Sequence, residues 1–155
     1  MLRASLVVIC LPLLLLAPHR KPTRGVLCWN YENPLDRHPT VRREFGNSQA
    51  VLVGRVASVD SLPETDSTLD AVVYHVLVLE RFKGPAARTL PFFSENSSGR
   101  FPLDRGVTYL LFGHRDEPGL FYVNNCGNSG PADSVASALT AVRSLARNSR
   151  RRPPN

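Results

Sequence analysis

Apolar residues fall into short runs with strand-like alternation, and only the last run repeats at helical spacing. AVLVGRVASV (Ala50–Val59) is apolar and β-branched, which predicts a first strand. Gly54 inside it marks a bulge or a sharp bend of the kind found at barrel corners. After the polar loop Ser61–Asp70 comes AVVYHVLVLERFKG (Ala71–Gly84), the longest strand signal in the chain. There Val73, His75, Leu77 and Leu79 alternate with Val72, Tyr74, Val76 and Val78, so both faces are expected to be at least partly covered. RTLPFFS (Arg88–Ser94) predicts a third strand, in which Pro91 signals an edge or a bulge. The loop Glu95–Gly106 leads to a fourth strand, VTYLLFGH (Val107–His114), and RDEPG turns the chain into a fifth, LFYVNN (Leu120–Asn125). Ahead of the strands, TVRREF (Thr40–Phe45) predicts a short helix capped by Thr40 and ended by Gly46 and Asn47. At the far end Pro131 and Asp133 open a helix whose Val135, Ala138, Leu139, Val142 and Leu145 form one apolar stripe. Five strands in this order, with a helix at each end, predict a mainly β fold. A small closed barrel fits it better than a two-sheet sandwich, which usually needs more strands.

The ends of the chain differ from this body. ASLVVICLPLLLLA after MLR is an apolar run behind a short positive start, too brief for a spanning helix of roughly 20 residues. It reads as a secretory signal peptide and leader over residues 1–25, with cleavage after Ala17 or after Gly25. The domain itself is expected over 26–146, and RNSRRRPPN (147–155) as a basic disordered tail. The net charge of +6 suggests nucleic acid until it is located. Four basic residues precede position 26 and four more are Arg147, Arg150, Arg151 and Arg152; eleven remain between 26 and 146 against all thirteen acidic residues, a net −2. A groove that tracks phosphates needs clustered Lys and Arg on the folded surface, and this body lacks the excess.

Candidate chemistry is sparse. His75 sits among valines and leucines and is expected to be a hydrogen-bonded sheet residue. His38 and His114 could meet a cysteine, but no Cys-X-X-Cys or His-X-X-X-His spacing fixes a metal site, and no metal or cofactor is expected. Glu64, Asp66, Asp70, Asp104, Asp116 and Glu117 fall in loops and turns, with no acid–base pair among them. Asn96–Ser98 (NSS) matches the N-glycosylation acceptor pattern.

Several pieces in order are similar to the netrin-like module, best known from tissue inhibitors of metalloproteinases and closest here to short exported bacterial members. They are a cysteine-led start, AVLVGRV, VLERFKG at the end of the second strand, GRFPLDRGVTYLLF, and the strand–cysteine–helix finish LFYVNNCGNSGPADSVASAL. The similarity runs from about Cys28 to Leu145. It implies a five-stranded OB-like closed barrel with an arm held by disulfides, and a binding module in place of an enzyme. Two departures stand out: Asn30 occupies the second position of the usual Cys-X-Cys start, and SSGRF carries no cysteine before the fourth strand. Losing both is consistent with removal of one bridge as a unit, leaving Cys28 and Cys126. An oxidising compartment makes a Cys28–Cys126 disulfide the plain expectation; two free thiols, or a nucleophilic cysteine, are the other readings.

The function expected is an exported, non-catalytic module. It engages a protein or envelope component through Cys28, Trp29, Asn30 and Tyr31 of the arm and the loops Ser61–Asp70 and Glu95–Gly106. Trp29 and Tyr31 have the alternative role of packing over the barrel end. Two other functions stay open at this level. Metalloprotease inhibition of the tissue-inhibitor type requires a free amine at Cys28, hence cleavage right after Leu27, which is a poor residue for it. Single-strand nucleic-acid or glycan binding by the barrel is the other, and the charge distribution weighs against nucleic acid.

Overall fold

A computed structural model describes residues 38–62, 71–95, 101–115 and 119–151. The chain begins with helix α1 (Val41–Asn47), then strands β1 (Ala50–Leu62), β2 (Ala71–Lys83), β3 (Thr89–Glu95), β4 (Thr108–His114), β5 (Tyr122–Val123) and β6 (Gly130–Pro131). Helix α2 (Ala136–Arg151) ends it. The strands form one antiparallel sheet in the order β3-β2-β1-β4-β5, with β6 paired to β4. Thr40 caps α1 as expected, its side chain accepting from Arg43 N.

β1 is the organising strand, and its continuous apolar run has a two-sided cause. Ala50, Leu52 and Val56 pack with Tyr74, Val76, Leu90, Phe92, Tyr109, Leu111 and Phe121 in the main core. Val51 and Val53 face the other way and pack with Leu110, Phe112, Ala138 and Val142 beneath α2. β4 divides its residues in the same alternation, Tyr109 and Leu111 to the main core and Leu110 and Phe112 beneath α2, which is why YLLF is a continuous buried run. The register of β1 on β2 shifts at Val53/Gly54, so Gly54 does sit at a bulge. A Cβ there would meet the Val76 and Leu52 side chains and lie 3.1 Å from the Leu77 carbonyl. β2 is less covered than expected: Tyr74 and Val76 are buried and Val72 and Val78 partly so, but Val73, His75 and Leu77 are half-exposed and Leu79 is exposed. α2 packs on β1 and β4 and reaches β2 only at its Glu80–Phe82 end, which leaves these positions open.

Three expectations need correction. The sheet is not closed by hydrogen bonds into a barrel. Its edges β3 and β5 are related by a single parallel bridge, Phe92 to Phe121, with Phe93 N donating to Phe121 O (2.6 Å) and Phe121 N to Pro91 O (3.0 Å). β5 is two residues long and Pro91 has no N–H, so neither edge can sustain a ladder here. The fifth strand is correspondingly shorter than Leu120–Asn125, because Asn124 turns the chain by accepting from Cys126 N (2.9 Å). Finally, α2 continues through Arg151 into the stretch expected to be tail. Arginines in its last turn suit the negative end of the helix dipole. Among the described residues no helix is long and apolar enough to cross a membrane.

Candidate binding groove beside the cysteine turn

The short helix α1 would not persist alone, since seven residues cannot repay nucleation. Two polar contacts fix it. At its C-terminus, Lys83 Nζ donates to the carbonyls of Phe45 (3.0 Å) and Gly46 (2.8 Å) and lies 5.8 Å from the Phe45 ring centroid. Partial burial pulls the Lys83 ammonium below the usual lysine range. On its inner face, Glu44 is buried, and its Oε2 accepts from Asn128 N (2.7 Å) and Asn128 Nδ2 (2.6 Å). Asn128 Nδ2 also donates to Pro39 O (2.9 Å). One asparagine therefore ties the start of α1 to the turn that carries Cys126. Burial raises the Glu44 carboxyl above its ordinary value, and the two Asn128 donors partly offset that.

The clasp shapes its surroundings. Gly127 packs against Glu44 so closely that a Cβ there would collide with the carboxylate. Cys126 is buried in the same turn, with Sγ 3.2 Å from Asn125 Oδ1. Beside it lies a groove of about 250 Å³ whose walls include Pro39, Arg43, Asn47, His114 and Tyr122. His114, at the end of β4, has Nε2 3.5 Å from Ser48 Oγ and stacks its ring on Tyr122 at 5.7 Å. The groove thus combines the Tyr122 ring, a guanidinium, an imidazole and the buried Glu44 carboxyl.

The structure sorts the candidates from sequence into groups. Cys28, Trp29, Asn30 and Tyr31 lie outside the described residues, and so does the pairing of Cys28 with Cys126. The cysteine turn, α1 and the end of β4 lie toward the Ala50 end of β1, where Ala50 pairs with Gly113 and Gly113 with Val123. The two loops are elsewhere: Leu62 pairs with Ala71 and Ala71 with Glu95, at the opposite end of β1. Glu64, Asp66, Asp70, Asn96–Ser98, Asp116 and Glu117 lie outside the described residues. Asp104 supports the fourth strand, its N–H donating to Tyr109 Oη (2.9 Å). His75 is a hydrogen-bonded sheet residue, with Nε2 2.7 Å from Asp60 Oδ2. His38 is exposed. Among the described residues no three His, Cys, Asp or Glu side chains converge as a metal site would require.

Glu44 was not legible as a site residue, although a signal existed. It shares the i, i+3, i+4 stripe with Val41 and Phe45, so the core-facing side of α1 carries a carboxyl.

No family model matches this chain, and no curated protein matches it.

Proposed function

We propose that this protein is an exported, non-catalytic binding module of netrin-like OB type. It engages a protein or envelope component through its N-terminal arm. The observation that carries this reading is the Glu44–Asn128 clasp, which brings together the end of the arm at Pro39, the Cys126 turn and a groove. A bridge from Cys28 to Cys126 would hold Trp29 and Tyr31 at the same end. The strand ends that lead into Ser61–Asp70 and Glu95–Gly106 lie at the far end of β1.

The test uses the exported protein with photo-crosslinking groups placed singly at Tyr31 and at Leu62. The reading expects a saturable adduct with one partner from Tyr31, lost on deletion of residues 26–37. An adduct from Leu62 alone moves the binding surface to the far loops, and none from either position overturns the module. The intact mass of the same sample fixes its first residue. A start at Cys28 turns the reading to metalloprotease inhibition through the terminal amine.

A further inference from the structure

The part of the outer sheet face that α2 leaves uncovered has an ordered surface. Val72, Tyr74 and Val76 of β2 and Leu90 and Phe92 of β3 turn into the main core. Their neighbours Val73, His75, Leu77, Pro91 and Phe93 therefore alternate outward, and all five are partly exposed. On β1, Val51 and Val53 lie beneath α2, and Arg55, the next residue on that face, is exposed. Past the register shift at Val56/Ser58, Asp60 joins the same face, paired with Val73 and 2.7 Å from His75 Nε2.

Cross-strand pairing arranges these residues in rows. Asp60, Val73 and Phe93 make one row; Ser58, His75 and Pro91 the next; Arg55, Leu77 and Thr89 the third. The outer two rows stand four residues apart along β2, about 13 Å at the rise of a strand. Glu95 lies beyond the first row, where it pairs with Ala71. Arg88 lies beyond the third, its carbonyl accepting from Val78 N (2.9 Å). The apolar strip thus has acid at one end and base at the other, with Asp60, Glu95, Arg55 and Arg88 all exposed. Among the described residues none of Arg55, Arg88 and Glu95 forms an ion pair.

That order is self-complementary. A two-fold axis lying across the strands at the His75 row sets the first row of one copy over the third row of the other. Val73 then faces Leu77, Asp60 faces Arg55 and Glu95 faces Arg88, each contact occurring twice. Sheets stacked face to face lie about 10 Å apart, a gap that opposed Arg and carboxylate side chains can close. A two-fold along the strands would bring the acidic ends together and is disfavoured. We propose that the β2–β3 half of the outer face binds a second copy of this chain, in a two-fold dimer that sets Val73 on Leu77 and Asp60 on Arg55.

Sedimentation of the exported protein over micromolar to millimolar concentrations tests the proposal. The parent chain should show a reversible monomer–dimer equilibrium. Asp60→Arg and Arg55→Asp each oppose like charges at two places per dimer, so each should weaken dimerisation about tenfold or more. The chain carrying both changes restores opposite charges across the axis and should regain most of the parent affinity. Leu77→Lys, in the apolar strip, should weaken the dimer as well. Far-UV circular dichroism reports folding, and where either reversal prevents it, Glu95→Arg and Arg88→Glu supply the same exchange at the other pair. A parent chain that stays monomeric overturns the proposal, and so does a dimer indifferent to the single reversals. A dimer broken by each reversal and not restored by both overturns the two-fold arrangement. No other partner enters the measurement, so its outcome is independent of the crosslinking from Tyr31.

Discussion

Glu44 concentrates the most chemistry in one side chain, and its protonation is coupled to folding. Because burial raises its native value above 4.5, the folded chain holds a proton that the unfolded chain has lost across the window between those two values. Stability is therefore expected to fall as pH rises through that window. Glu44→Gln should flatten this component while keeping an acceptor for Asn128, which thermal unfolding midpoints from about pH 4 to 8 will show. Glu44→Ala strips the acceptor from both Asn128 donors and should destabilise by roughly 1–3 kcal/mol in chemical denaturation. A variant as stable as the parent would mean that the clasp is dispensable. The limits of sequence reading are visible at this scale. Spacing placed Thr40 as a cap and His75 in a sheet, because both follow from near neighbours. The partners of Glu44 lie 84 positions away, and no local pattern encodes them.

Elements read well where one periodicity dominated and poorly where pairing decided. β1 to β4 were legible because runs such as AVLV and YLLF suit strands covered on both faces. β5 shortened and β6 appeared because their extent depends on the edge of β4, which no run of residues announces. Two predictions separate the forces that hold the helices. Val142, on the sheet-facing side of α2, is fully buried whereas Arg143 beside it pairs with Glu80 at the surface (2.7 Å). Val142→Ala should destabilise by about 2 kcal/mol, and Arg143→Ala by much less because the exposed pair is screened. Equal losses in urea unfolding would contradict this ranking. For α1, Lys83→Met removes both donors to the Phe45 and Gly46 carbonyls. It should speed amide exchange within Val41–Asn47 severalfold with little change in β1, since short segments open locally before the sheet unfolds.

On the scale of the whole molecule the argument turns on where charge resides. The positive excess belongs to the ends, and the structure adds that Arg147 and Arg150 are exposed along α2, in one line with Arg143. Arg143 is engaged by Glu80, so the outward field of α2 comes from its last turns. A single-stranded oligonucleotide should therefore bind only weakly and through these arginines. With at most four of them engaged, the logarithm of the binding constant should fall with log salt at a slope no steeper than about −3. Replacing Arg147, Arg150, Arg151 and Arg152 together by Gln should abolish the binding and leave thermal stability nearly unchanged, since these substitutions remove no buried contact among the described side chains. Fluorescence anisotropy of a labelled oligonucleotide between 50 and about 200 mM salt measures both effects. A steeper slope that survives the four substitutions would locate a phosphate-tracking surface on the body. The half-exposed outer face of β2 and β3, with Phe93 and Arg88, would then be the place to look for it.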